Sequence, residues 1–224
     1  MKYCLPIIAN NLEELEQRLS LYNSFYDYLE VWLDYLKSNF TNDNLDELIK
    51  TYPNKLLFVT RKLNFEECTV SFNRRIEIIK YLATKNCLID LDINFHKKEL
   101  AELSDLNINE KLVLSFHDYQ KTPNNVDLIS IYNEMHKYEP LIYKFSCISN
   151  SYEDSLRLCN LLKELLSRHD KVVVLGMGKY GTYTRVIGQL LGNYMLFVRA
   201  DDLPATANGQ LSKKEVEQIL NIIG

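Results

Sequence analysis

A lysine set inside an otherwise apolar segment is the feature of this sequence with the clearest chemical potential. Lys144 lies in L-I-Y-K-F-S (Leu141–Ser146), where two-residue alternation puts Ile142, Lys144 and Ser146 on one face and Tyr143 and Phe145 on the other. An amine removed from water loses its proton more readily, and the neutral form is a nucleophile able to make a Schiff base with a ketone. The position equally suits a lysine that snorkels from a strand end to water or pairs with Asp90 or Asp92. His117 follows K-L-V-L-S-F (Lys111–Phe116), one strand-like segment earlier. An imidazole there could take a proton from the carbon beside an iminium and return it to a leaving hydroxyl, or serve only as a capping or core group. Arg61 and Arg185 carry planar forks suited to two-point binding of a carboxylate, or to an ordinary ion pair. Asp90 and Asp92 share one strand face and could tune a neighbouring lysine or histidine, or neutralise buried basic groups. Glu30 and Asp34 complete the polar residues at strand ends, while His96, His136 and His169 fall in helical or loop stretches and read as surface groups. No metal-ligand spacing stands out.

These groups need elements to hold them, and the hydrophobic pattern supplies eight strand–helix pairs. The pattern predicts strand Tyr3–Ile8 with helix Leu12–Tyr22, Tyr26–Leu33 with Leu45–Tyr52, and Leu56–Thr60 with Asn73–Thr84. Cys87–Ile93 precedes Lys97–Leu103, Lys111–Phe116 precedes Asp127–Tyr138, and Leu141–Ser146 precedes Glu153–Ser167. Val172–Leu175 with Thr184–Leu191 and Tyr194–Val198 with Lys213–Ile223 complete the series. Almost wholly apolar strands are those of a parallel sheet buried on both faces. Such alternation builds an open doubly wound sheet or a (β/α)8 barrel, and eight units favour the α/β, single-domain (β/α)8 TIM barrel with parallel strands, spanning residues 1–224. No GxGxxG follows the first strand and no Walker A sequence occurs, so a nucleotide-binding sheet has no motif behind it. In a TIM barrel the chemistry sits at the C-terminal strand ends, where the polar residues above fall.

All seven glycines lie from Gly176 onward. The cluster Gly176, Gly178, Gly181, Gly188 and Gly192 is read as a loop, Gly176–Gly181, approaching a ligand closely, or as turns and helix ends. With 26 basic and 30 acidic residues the chain has no polyanion-binding footprint, so no nucleic-acid partner is expected. Five widely spaced cysteines without a CxxC read as reduced thiols of a cytoplasmic protein. The apolar stretch at residues 1–9 is too short for a signal peptide and no later run approaches a membrane span, so no membrane partner is expected.

Taken together, seven ordered segments carry a resemblance. They are E-V-W-L-D-Y (Glu30–Tyr35), V-T-R (Val59–Arg61), I-D-L-D (Ile89–Asp92), S-F-H-D-Y-Q-K-T-P (Ser115–Pro123), Y-K-F-S (Tyr143–Ser146), G-M-G-K-Y-G-T-Y-T-R (Gly176–Arg185) and T-A-N-G-Q (Thr206–Gln210). The set resembles type I 3-dehydroquinate dehydratase, the Schiff-base enzyme of the shikimate pathway, over nearly the whole chain. The resemblance implies a homodimeric barrel that converts 3-dehydroquinate to 3-dehydroshikimate and water. It implies that Lys144 forms an imine with the C3 ketone and that His117 removes the C2 proton and helps the C1 hydroxyl leave. The iminium is then the electron sink, so no metal or organic cofactor is expected. Arg185 matches the arginine that holds the substrate carboxylate, Thr206 and Gln210 match a closing loop, and Glu30 and Arg61 match groups that hold ring hydroxyls. Asp90 matches the acid in the strand before the histidine.

Three departures from the family pattern bear on the site. Trp32 stands where the first motif, Glu-x-Arg-x-Asp, has arginine. Phe65 stands where a glutamate follows Arg61 by four residues, which leaves Glu66 as the displaced candidate for poising the histidine. Asn208 replaces a loop proline, a change expected to loosen the open loop. Two other readings are a different lysine-imine barrel enzyme, such as an aldolase, and a non-catalytic binding barrel.

Overall fold

The strands form where β-branched and aromatic residues run together, and in half of them every side chain is buried, the others having one half-buried residue at an end. In order they are β1 (Tyr3–Ile7), β2 (Tyr28–Trp32), β3 (Leu56–Val59), β4 (Leu88–Asp92), β5 (Leu112–Asp118), β6 (Ile142–Ile148), β7 (Val172–Met177) and β8 (Leu196–Phe197). The helices between and after them are α1 (Leu12–Tyr22), α2 (Asn42–Thr51), α3 (Phe72–Ala83), α4 (Lys97–Glu102), α5 (Asn125–His136), α6 (Tyr152–Leu166), α7 (Gly178–Leu191) and α8 (Lys213–Ile223). This computed structural model describes residues 1–37, 40–103, 106–169 and 171–223, and all the candidate residues lie among them. Strands β1-β2-β3-β4 neighbour one another in that order, as do β5-β6-β7, each pairing of described register is parallel, and the fold is an α/β TIM barrel.

Helix starts are written in local chemistry. Asn11, Ser71, Asn124 and Ser151 each accept a hydrogen bond from the backbone N–H three residues on, and Thr41 with Asn44 forms a capping box. Each cap satisfies donors that the first helical turn leaves orphaned. The chain divides into two compact units, Cys4–Leu114 on one hand and Met1–Tyr3 with Ser115–Gly224 on the other.

In the unit Cys4–Leu114, parallel register aligns Glu30 with Leu57, Trp32 with Val59, and Val59 with Asp90. Glu30 and Trp32 therefore share a face of β2, as Asp90 and Asp92 share a face of β4.

In the other unit, Lys144 pairs with Val173 and Cys147 with Gly176. Here the expected glycine loop is absent. β7 passes directly into α7, which begins at Gly178 with φ +79°, and Gly181 lies inside the helix. The two backbones nearly touch: a Cβ on Gly181 would stand 2.3 Å from the Gly176 carbonyl carbon, and one on Gly176 would stand 2.6 Å from the Gly181 Cα. These glycines serve close strand–helix packing, which is why the loop reading fails. Thr184 Oγ1 accepts from Gly176 N at 2.7 Å and donates to Gly181 O at 2.7 Å, locking the junction. Beyond α7, the Asn193 side chain imitates a strand, accepting from Val174 N at 2.9 Å and donating to Val174 O at 3.0 Å. Tyr194 N then donates to Val172 O at 2.9 Å. These bonds satisfy the outer edge of β7 just before β8 begins.

Gly181→Ala should therefore destabilise the fold by about 3 kcal/mol, the upper part of the range for overpacking against rigid atoms. Urea unfolding checks this, and an unchanged midpoint would show that the junction yields.

Candidate active site

The polar residues at the strand ends fall into two sets, one in each unit. In Cys4–Leu114 the set is built on Glu30, Trp32, Arg61 and Asp90, all buried. The Trp32 indole Nε1 donates to Glu30 Oε2 at 2.8 Å, an interaction that alternation along β2 makes available. The Arg61 guanidinium lies over the Trp32 ring, 4.9 Å from its centroid, and Arg61 Nη2 faces Asp90 Oδ1 at 3.4 Å. Arg61 is thus buried and paired, not a surface ion pair.

His96 is also buried, contrary to the surface role expected for it. Its Nδ1 accepts from the Asp92 backbone N–H at 2.9 Å, which places the proton of the neutral ring on Nε2, 3.4 Å from Thr60 Oγ1. Burial, and after it the Arg61 charge, pushes the imidazole down to about 4, against Glu99, Asp92 and Asp90. The short helix α4 gave no sequence signal for this, because a histidine before K-K-E reads as solvated. Asp92 Oδ1 accepts from Asn94 N and Phe95 N, both at 2.9 Å, so this carboxylate shapes a turn. Asp34 does the same for another loop, accepting from Thr69 N at 2.6 Å and Val70 N at 2.9 Å. Phe65 ends the turn Leu63–Phe65 with φ +55°, and its ring stacks on Phe95 at 5.3 Å. Glu66 follows, exposed to solvent.

The set in the other unit centres on Lys144, 4% exposed in the middle of β6. Its Nζ lies 3.9 Å from the centroid of the Phe197 ring. That ring face favours positive charge at Nζ, and the preference holds for an ammonium and an iminium alike. On the opposite face of β6, the Tyr143 hydroxyl meets His136 Nδ1 at 2.7 Å, and burial pushes the phenol up to about 12. The Tyr132 hydroxyl meets His169 Nε2 at 2.9 Å, so His136 and His169 are tied to tyrosines, although His136 remains exposed. His117, 8% exposed near the end of the adjacent strand β5, stacks on Tyr119 at 5.9 Å. Asp118 next to it caps the following turn through Gln120 N and Lys121 N.

Arg185 projects from α7 and is 1% exposed. Its Nη1 donates to the Phe197 carbonyl oxygen at 3.0 Å, while Nε and Nη2 are buried with no hydrogen-bond partner among the described residues. Burial lowers its pKa to about 10, which leaves it charged at neutral pH. Nε and Nη2 form the side-on fork that a carboxylate bridges. Phe197 therefore touches both cations, through its ring and its main chain. Sequence reading placed it only in an apolar strand, and nothing in its residue type announces the role.

The loop of Thr206 and Gln210 packs on the start of α7. Gly178 N donates to Asn208 O at 2.8 Å, and Thr182 Oγ1 donates to Gly209 O at 3.0 Å. The Gln210 Oε1 accepts from Thr206 N at 2.8 Å and Thr206 Oγ1 at 3.2 Å.

The family model for type I 3-dehydroquinase matches residues 3–224. The chain belongs to that family. A 3-dehydroquinate dehydratase from Methanococcus maripaludis strain C7 is 29% identical over 99% of both chains. Among solved structures, the type I 3-dehydroquinate dehydratase of Clostridium difficile, with covalently modified comenic acid, superimposes with a TM-score of 0.82. It is 22% identical, covering 99% of this chain and 91% of that one. The enzyme from Aquifex aeolicus gives 0.79 at 22% identity over 99% and 98% of the two chains. The chain is accordingly an enzyme of 3-dehydroquinate dehydration, the step that places it in the shikimate pathway. No helix among the described residues is long and apolar enough to cross a membrane.

The His96 environment yields a pH prediction. The unfolded imidazole titrates near 6.5 and the folded one at about 4, so below 6.5 the unfolded chain binds more protons. The stability supplied by neutral His96 is full above 6.5 and is lost as pH falls to about 4, by about 3 kcal/mol. Urea unfolding at pH 7 and pH 5 should show about 2 kcal/mol of this loss in the wild type and a smaller one in His96→Asn.

Proposed function

We propose that this enzyme dehydrates 3-dehydroquinate through an imine on Lys144, with His117 as general base and then general acid. The observation that carries the reading is the buried Lys144 amine, held against the Phe197 ring on the strand beside the one bearing His117. Lys144 Nζ adds to the C3 ketone, and loss of the carbonyl oxygen as water leaves the iminium. His117 takes the C2 proton, and the C–H electron pair moves toward the iminium nitrogen to give an enamine. The enamine expels the C1 hydroxyl, which leaves as water with the proton returned by His117. Hydrolysis of the conjugated imine then frees 3-dehydroshikimate and the lysine.

Arg185 holds the substrate carboxylate with the Nε and Nη2 fork, and desolvation strengthens that pairing. Thr206 and Gln210 reach substrate oxygens from the loop on α7. Glu30 and Arg61, the latter paired with Asp90, take ring hydroxyls. The enzyme works as a cytoplasmic homodimer on the family precedent.

Incubation with 3-dehydroquinate and borohydride, followed by peptide mass spectrometry, should place a reduced adduct on Lys144. Lys144→Ala should give none, and an adduct in that variant would overturn the assignment. His117→Ala should still be trapped yet lose turnover by about a hundredfold or more; near-normal turnover would remove the histidine from the mechanism. Arg185→Gln should raise KM by about tenfold to a hundredfold, the cost of a charge-assisted hydrogen bond. Steady-state kinetics reads that change directly.

A further inference from the structure

We propose that Trp32 is a positioning residue for the dehydration, one side chain that sets both Glu30 and Arg61 for hydroxyl recognition. The inference rests on the dehydratase reading above and concerns how this chain manages without the arginine of the family's first motif. Trp32 is 5% exposed, and its indole does two things at once. The N–H donates to Glu30 Oε2 at 2.8 Å, which fixes the plane of a carboxylate that is itself buried. The ring face lies 4.9 Å from the Arg61 guanidinium, and Tyr35 braces the ring edge-on at 6.2 Å. Arg61 in turn faces Asp90. Tryptophan thus joins β2 to the residues that follow β3 by a hydrogen bond and a cation–π contact.

The exchange also alters the chemistry of recognition. An arginine here would meet Glu30 as a second cation and compete with substrate for the carboxylate through a charge-assisted bond. The indole N–H is a neutral donor with nothing to accept, so it engages Glu30 without bringing a second positive charge to it. With one cation fewer, this group of residues suits hydroxyl donors and disfavours a second anionic group. The ligand class it takes is a polyhydroxylated ring whose single carboxylate is bound elsewhere.

Trp32 is the only tryptophan in the chain, so the experiment can watch it directly. Trp32→Phe keeps an aromatic face for Arg61 and removes the N–H. Its KM for 3-dehydroquinate should rise about tenfold while kcat stays within about threefold, as expected for a lost ground-state positioning bond. The borohydride adduct on Lys144 should persist in this variant. In the wild type, titration with 3-dehydroshikimate should change the tryptophan emission saturably, and Glu30→Gln should shift the emission of the free enzyme and abolish that response. A KM within twofold of wild type in Trp32→Phe overturns the proposal, as does a wild-type emission that ignores the ligand. Where Trp32→Phe does not fold, the emission response of wild type against Glu30→Gln decides alone. Failure of the dehydratase reading has a separate signature, namely no turnover and no trapped adduct in the wild type.

Discussion

Charge held out of water is the constraint around which this protein is organised. Lys144, Arg61 and Arg185 are all buried, and an ion taken from water into protein loses several kcal/mol unless other groups replace its hydration. The replacements differ in kind. Among them are a carboxylate and an indole face at Arg61, the Phe197 ring at Lys144, and a main-chain carbonyl at Arg185. On the proposed reading a carboxylate bridging Arg185 Nε and Nη2 would replace that lost hydration, so recognition and relief of burial are the same event. Apolar strands surround these groups because only a tightly packed sheet keeps water from competing for them.

Much of this was legible from residue order. Short apolar runs between amphipathic stretches located the strands and most helices to within a few residues, since a parallel sheet buried on both faces leaves little ambiguity about strand identity. Helix α7, however, begins at Gly178, well before the expected Thr184. Lys144, His117 and Arg61 were conspicuous as polar side chains inside or just after apolar runs, whereas Arg185 drew attention only as a fork behind the glycine cluster. What escaped was any role that depends on a partner distant in sequence. Phe197 looks like every other core aromatic, and His96 looks solvated until Thr60 is brought to it by the pairing of β3 with β4. The glycine cluster failed for a different reason. Glycine permits close approach, but its presence does not say whether the approaching body is a ligand or the protein's own backbone.

Substitution at one position has consequences for its neighbours here. Where the family pattern has arginine and glutamate, this chain has Trp32 and Phe65, and each enlists aromatic partners. Trp32 is braced by Tyr35, while Phe65 accepts a left-handed backbone and stacks on Phe95, itself edge-on to His96. A bulky residue at φ +55° carries strain of about 1–2 kcal/mol, which the ring stack offsets. At these positions aromatic contacts, one stacked and two edge-on, hold neighbouring polar groups by ring faces and edges.

The carboxamide of Gln210, occupied by the Thr206 amide and hydroxyl, gives the neighbouring loop a particular thermodynamic character. A ligand group that takes the Gln210 carboxamide oxygen or the Thr206 hydroxyl proton must exchange one hydrogen bond for another of similar strength, so little enthalpy is gained there. On the proposed reading, in which this loop meets the substrate, it contributes selectivity and seclusion more than affinity. Its reversible engagement suits a catalyst whose product differs from its substrate by one water.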